Sequence, residues 1–249
     1  MYESGMVVVD GLFISNSYLL TGKDFQNLLL WKPRVGEAYT VCNAERKFFR
    51  ARVTKLKSDK AEIFVFEGPC ESVESDLTIT LLQAIPEKER MELIIQKVTE
   101  LGVSSIIPFK SKCSISIEER DAKQKKSHKW GEIALKAAKQ CRRASIPQVH
   151  PYCNFADAVH ATAQCDLKIL FWENEKDTDL KKTILNVKDL GLNNIAVMIG
   201  PEGGFEDAEI TGAREAGFIT VGIGQRILRT ETAAIVTVGL IQYELGNLG

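Results

Sequence analysis

Residues Ile199–Phe205 read IGPEGGF, and they follow an apolar run containing Ile195, Val197 and Met198. A hydrophobic strand thus ends in Gly-Pro-Glu-Gly-Gly and enters EDAEITGAREA (residues 206–216), which has the composition of a helix. Glycine density at such a junction marks backbone that must come close to another group. The same rhythm runs through the neighbouring chain. LTITLLQAI, SSIIPF, LKILFWE, IAVMI and FITVGI are strand-like runs. Met91, Ile94, Ile95, Val98 and Leu101 recur at helical spacing, with Pro86 ahead of them and Gly102 just past the end. Trp130, Ile133, Ala134, Ala137 and Cys141 mark a second helix closed by Pro147, and DLKKTILNV and a last helix from about Glu231 follow. Strands alternating with helices predict an α/β domain over 73–249 with a largely parallel sheet. Ligands of such sheets bind beyond the carboxyl ends of the strands, where IGPEGGF lies.

Before residue 73 the pattern is different. VVVDGLFI, AYTVCN, FFRARVTKL and AEIFVFEG are β-rich runs separated by turn residues, which predicts a small β-barrel or sandwich over 1–72. CESVESD reads as a polar link between the two domains. The length of 249 residues accommodates both, and a hydrophobic fraction of 45% argues against disorder. Apolar runs stay short of the roughly 18 residues of a membrane span. The start MYESGMVVVDGLF lacks the basic lead of a signal peptide, so the expectation is a cytoplasmic protein with no membrane partner. The six cysteines form no CxxC pair and lack zinc-finger histidines; they are expected to be buried thiols, with no metal.

The net charge of −1 hides a segregation. Residues 46–57 carry six bases and no acid, residues 110–143 eleven bases against four acids, and residues 144–249 eight against fourteen. Such separation suits an anionic partner on one face, although solvated faces give the same pattern. Phe48 and Phe49 lie within the first basic segment, where strand alternation would turn one inward and leave the other to stack on a base.

Known glycine loops can be tested against the junction. A P-loop needs a lysine for the phosphates, and this loop carries Glu202 instead. The dinucleotide fingerprint needs GxGxxG, which Gly200, Gly203 and Gly204 do not space correctly, and Gly222-Ile-Gly224 stops after two. An acidic glycine loop suits a neutral or cationic ligand with ribose hydroxyls, such as S-adenosylmethionine; a tight turn with an exposed glutamate is the plainer alternative. A second strand end lies beside it. FITVGI runs into GQRILRTETAAI, where Thr230 is a good N-cap and Glu231 falls in the first helical turn. The two loops put Ile199, Gly200, Glu202, Gly203 and Gly204 on one side of a cofactor site. Ile223, Gly224, Ile227, Leu228 and Arg229 form the other.

IGPEGGFEDAEI followed by GQRILRTETAA resembles the RsmE-type 16S ribosomal RNA uracil-N3 methyltransferases of the SPOUT class. The likeness extends to QKVTELGVSSIIPF, KSKCSI and AAKQCRRASIPQV, and covers roughly residues 78–249. It implies a PUA-like, RNA-binding β-barrel over 1–72 and a SPOUT-type α/β domain over 73–249 with a C-terminal trefoil knot. It further implies S-adenosyl-L-methionine as cofactor, 16S ribosomal RNA or the small ribosomal subunit as partner, and a homodimer with the knot at the interface. AAIVTVGLI in the last helix, apolar nearly all round, is consistent with such an interface and equally with a core helix. Two departures stand out. Glu206 replaces the serine that opens the helix after the glycine loop, which should weaken its capping box modestly. KDFQNLLLWKPRVGE has Gln26 near a family histidine and Trp31 in place of a family arginine, with Lys32 and Arg34 as neighbouring bases.

Methylation of uracil N3 requires removal of the N3 proton or stabilisation of the imidate. Arg229 is the candidate to face the imide oxygens, unless it pairs with Glu231 merely to shape the loop. Glu231 or Glu202 is the candidate base. The expected phosphate contacts are Arg34, Arg46, Arg50, Arg52, Lys110, Lys112, Arg142 and Arg143. A SPOUT ribose 2′-O-methyltransferase and a non-catalytic RNA-binding assembly factor are the competing readings.

Overall fold

The computed structural model describes residues 4–86, 90–119 and 129–248. The middle of the basic run, residues 120–128, lies outside the described residues. The chain forms two compact units: Met1–Glu74 with Leu135–Pro147, and Ser75–Ala134 with Gln148–Gly249.

In the first unit, β1 (Ser17–Leu20), β2 (Ala38–Cys42), β3 (Phe48–Leu56) and β4 (Ala61–Cys70) form an antiparallel sheet in the order β1-β4-β3-β2. Along β3, Ala51 and Val53 are buried while Arg52 and Thr54 face solvent, the alternation of a one-sided sheet. VVVDGLFI does not form the expected strand. Asp10 and Gly11 turn the chain there, and only Val8 makes an isolated bridge, to Cys42. The unit also contains a helix that pattern reading missed, α1 (Gly22–Leu30), whose Phe25 and Leu28 are buried. Trp31 follows it in the core, where its Nε1 donates to Gly5 O at 2.7 Å, so the departure at this position is a packing residue. CESVESD is likewise more than a link. Glu74 is buried and accepts from Arg143 Nη2 (2.8 Å), Ala144 N (2.8 Å) and Ser145 N (2.9 Å). A buried carboxylate holding a guanidinium and two amides satisfies the charge fully.

The second unit is built on a parallel sheet. Its strands are β5 (Thr78–Ala84), β6 (Ser105–Lys110), β7 (Gln148–Val149), β8 (Cys153–Asn154), β9 (Leu167–Phe171), β10 (Asn194–Ile199) and β11 (Ile219–Val221). Their order is β11-β9-β10-β5-β6-β7, with β8 also pairing β6. All of these pairings are parallel, as the continuous apolar runs predict. Around the sheet lie α2 (Arg90–Glu100), α3 (Trp130–Gln140, divided between the units after Ala134), α4 (Phe155–Ala161), α5 (Leu180–Val187), α6 (Asp207–Glu215) and α7 (Thr230–Leu245). On α2 the buried residues are Met91, Ile94, Ile95, Val98 and Thr99, the expected stripe without Leu101. The short β7, β8 and α4 were not anticipated; α4 is capped by Asn154, whose side chain accepts from Asp157 N. Central β10 is buried from Ile195 to Ile199, between β9 and β5. The chain therefore brings the carboxyl ends of β9, β10 and β11 side by side.

Candidate functional site

Three connections leave those ends: Trp172–Asp179 after β9, Gly200–Glu206 after β10 and Gly222–Arg229 after β11. They enclose a cavity of about 410 Å³. Ile199, Gly200, Glu202, Gly203, Gly204, Ile223, Gly224, Ile227, Leu228 and Arg229 all line it, so the structure brings together every residue expected on the two loops. Trp172, Glu173, Arg90 and Thr230 line it too, and sequence reading had singled out only the last, as a cap.

Thr230 has a different task. Helix α7 begins at Thr230, with Arg229 at the N-cap and no side-chain cap bond. The buried Thr230 hydroxyl donates to Gly200 O at 2.6 Å and accepts from Gln83 Nε2 at 3.0 Å. One hydroxyl thus ties the glycine loop to the start of α7 and to the end of β5. The loop itself needs glycine at Gly204, where φ is +73° and a Cβ would lie 2.4 Å from Glu173 Oε1. At Gly203 a Cβ would meet Cys113 Cβ at 3.0 Å. Beyond the loop, Glu206 N donates to Glu209 Oε2 (3.1 Å), so the reciprocal half of the capping box survives the change from serine.

The third connection crosses the chain leaving β11. Gly222 N donates to Thr178 O (2.9 Å) and Leu180 N to Gly222 O (3.4 Å). A Cβ on Gly222 would sit 2.7 Å from Glu175 O, so only glycine permits the crossing. Glu175 holds this connection in place. It accepts from Thr220 Oγ1 (2.7 Å), Arg214 Nη2 (3.1 Å) and Asp177 N (3.0 Å). The hydroxyl of Thr220 and, against a smaller effect of burial, the other donors and the Arg214 charge hold its carboxyl below the usual range.

The charges around the cavity are arranged by Arg90. Its Nη1 lies 2.7 Å from Glu202 Oε1, and its Nε lies 3.7 Å from Glu231 Oε2. Both candidate bases are thus joined by one guanidinium, and Glu231 pairs with Arg90 rather than with Arg229. Exposed Arg229 has no ion-pair partner among the described residues, so the pairing with Glu231 considered for it is not formed. Glu173, at the end of LKILFWE, adds a second carboxylate to the lining. The signal for Arg90 and Glu173 was available in their positions, one at the start of a helix and the other at a strand's carboxyl end, but neither belongs to a glycine motif.

The expected phosphate contacts fare unequally. Arg34, Arg52, Lys112 and Arg142 are exposed, and Arg46, Arg50 and Lys110 half-buried. Arg50 donates to Thr40 Oγ1 (2.8 Å) and Ala38 O (3.3 Å). Arg143 is withdrawn from the set, because it is only 6% exposed and neutralised by Glu74. Phe48 and Phe49 are both buried, since an irregularity in the β3–β4 register between Phe48 and Arg50 breaks the alternation; neither can stack on a base. The thiols also differ from expectation: Cys42 is buried, Cys70 and Cys113 are exposed, and the other three half-buried.

A family model described as an RNA methyltransferase domain matches residues 73–242. The chain belongs to this family of RNA methyltransferases. Within it, the chain is 34% identical over 220 residues to the ribosomal RNA small subunit methyltransferase E of Mesomycoplasma hyopneumoniae, covering 88% of this chain and 91% of that one. The crystal structure of ribosomal RNA small subunit methyltransferase E from Neisseria gonorrhoeae, bound to S-adenosyl methionine, superposes with a TM-score of 0.69 at 30% identity, covering 98% of this chain and 100% of that one. A methyltransferase of Legionella pneumophila in complex with the same cofactor gives 0.67 at 30% identity, over 98% and 99%.

Proposed function

We propose that this protein transfers the methyl group of S-adenosyl-L-methionine to N3 of a uracil in 16S ribosomal RNA of the small ribosomal subunit. The observation that carries the reading is the convergence of the GPEGG and RILRT loops on one cavity, pinned together by Thr230. The residues present fit the cofactor. Among the described residues the lining has Glu173, and Glu202 paired with Arg90, to meet a sulfonium or an ammonium, glycine backbone for the neutral parts, and Arg226 and Arg229 to meet a carboxylate or the RNA.

When bound, the cofactor supplies a methyl group on a cationic sulfur that leaves as a neutral thioether. Transfer to N3 would displace the N3 proton, which Glu202 or Glu231 would accept. The protein's largest contribution is to hold the reactants at about 3–3.5 Å. Arg229, without a carboxylate partner among the described residues, is the group to meet the charge developing on the imide oxygens. Glu202 and Glu231 remain the candidate bases, and Arg90 holds both in place. We assign the segment after β9 and the chain at Gly222 to a trefoil knot, supported by their mutual hydrogen bonds, and residues 1–72, the larger part of the first unit, to a PUA-like, RNA-binding barrel. A homodimer is supported by α7, where Val236, Leu240 and Tyr243 form an exposed stripe, and by Ile227, which is 86% exposed. The proposed ribosomal RNA substrate supports a cytoplasmic location.

The reading is tested by equilibrium binding of labelled cofactor to the full chain and to Gly204→Ala. Micromolar-range binding by the first and at least tenfold weaker binding by the second are expected; equal affinity, or none in either, would sink the loop assignment.

A further inference from the structure

A second, larger cavity of about 920 Å³ lies on the other helical face of the parallel sheet, between α4 and α6. Its apolar lining comes from Phe155, Ala156 and Val159 on α4 and from Ala208, Gly212 and Ala216 along α6, where small residues leave room. Around this lining stand Lys110, Lys112, His160 and Lys168. None of the four has a carboxylate partner among the described residues. Lys110 Nζ donates to Ser114 O and Lys168 Nζ to Ala216 O (2.7 Å), while Lys112 and His160 are exposed. Among the described residues the one carboxylate in the lining is Glu209, which is held by three neutral donors. It accepts from Ser111 Oγ, Lys112 N and Glu206 N, each at 3.1 Å. Three lysines against one carboxylate leave the groove net positive over an apolar, partly aromatic floor. That combination suits a nucleotide, whose phosphate meets the lysines while its base lies on the floor.

The groove also connects to the site already described. The turn Lys110–Ser114 lines the groove through Lys110, Ser111 and Lys112, and its next residue, Cys113, packs against Gly203 of the glycine loop. A single turn thus has the nucleotide groove on one side and the loop of the cofactor cavity on the other. We propose that this groove is a subsite for the RNA substrate, holding a nucleotide that flanks the methylated one, with Lys112 and Lys168 on its phosphate and Phe155 and Val159 under its base. The assignment rests on the RNA methyltransferase reading and adds Lys168, His160 and the α4–α6 floor to it.

The test uses the full chain, a fluorescein-labelled transcript of small-subunit ribosomal RNA, and labelled cofactor. One variant, Lys112→Glu with Lys168→Gln, removes charge while leaving an amide to donate to Ala216 O. A second, Gly212→Leu, fills the groove: its Cβ would meet only Phe155 Cε1, at 4.0 Å, and leucine favours the helix. Both variants should bind RNA about tenfold more weakly and keep cofactor affinity within twofold. The charge variant should also flatten the log–log salt slope by about 0.7 to 0.9, the value for the one phosphate that the two lysines share. Unchanged RNA affinity in both variants, in a wild-type chain that methylates, overturns the groove and leaves the methyltransferase reading standing. A flattened slope with full affinity in Gly212→Leu overturns it as well, since the lysines would then act only through their field. Loss of cofactor binding or RNA binding in the wild-type chain itself would instead remove the reading on which the groove rests.

Discussion

Replacing Thr230 with valine keeps the shape of the side chain and removes the hydroxyl that joins two site loops. In the structure that hydroxyl donates to Gly200 O at 2.6 Å and accepts from Gln83 Nε2 at 3.0 Å, in a residue only 5% exposed. Each such bond contributes about 1 kcal/mol net, and leaving the Gly200 carbonyl without its partner costs about 1 kcal/mol more. Gln83 Nε2 keeps its second acceptor, Ala84 O, so its share is at the low end. The sum is about 2–3 kcal/mol, which lowers Tm by roughly 5–10 °C for a chain of this size. If half of that energy fixes the glycine loop in its binding geometry, cofactor affinity falls by about 5- to 12-fold. Thr230→Ser retains the hydroxyl and should recover most of both losses. Thermal unfolding followed by circular dichroism and titration calorimetry with S-adenosylmethionine read the two quantities separately. An unchanged Tm and Kd in the valine variant, or a serine variant as damaged as the valine one, would refute the pinning argument; in the latter case the methyl group, not the hydroxyl, would be what matters.

Arg229→Ala should reduce the methyl-transfer rate by more than tenfold while changing stability by no more than about 0.5 kcal/mol, because the side chain is exposed and joined to no carboxylate among the described residues; a parallel fall in rate and Tm would support a loop-shaping role. Glu74→Ala leaves the Arg143 guanidinium buried without its partner and should destabilise the first unit by about 3–5 kcal/mol in urea unfolding. Burial lowers the pKa of His150 below the ordinary histidine value. Its unfolded form therefore takes up a proton first, and a stability penalty absent well above pH 6.5 sets in as pH falls through 6.5 toward the folded pKa. His150→Gln should make stability less sensitive to pH in that window, as measured by urea midpoints between pH 5 and 8.

The parallel domain was legible because its signals are local and repeated: apolar runs such as Ile195–Ile199 and the helical stripe from Met91 to Val98 report burial directly. The two loops were legible because glycines cluster at the ends of two apolar strands and the sequences IGPEGGF and GQRILRTETAA resemble a known family. What escaped depends on distance in sequence. Thr230 looked like a cap, and its acceptor lies 30 residues away and its donor 147. Glu74 and Arg143, 69 residues apart, read as a linker acid and a surface base because nothing nearby showed that each neutralises the other. Arg90 is joined to Glu202 across 112 residues. Helix α1 was hidden by a short apolar pattern of only Phe25 and Leu28, and Phe48–Phe49 by a register irregularity that alternation alone does not foresee.

The central claim is that this chain methylates uracil N3 in small-subunit ribosomal RNA. Purified protein is incubated with S-adenosylmethionine carrying an isotopically labelled methyl group and with small ribosomal subunits lacking the modification; the RNA is then digested to nucleosides and analysed by mass spectrometry. The account predicts a single labelled product that co-elutes with 3-methyluridine and depends on Arg229. Label on the ribose 2′-oxygen, on another base, or on no nucleoside would contradict it.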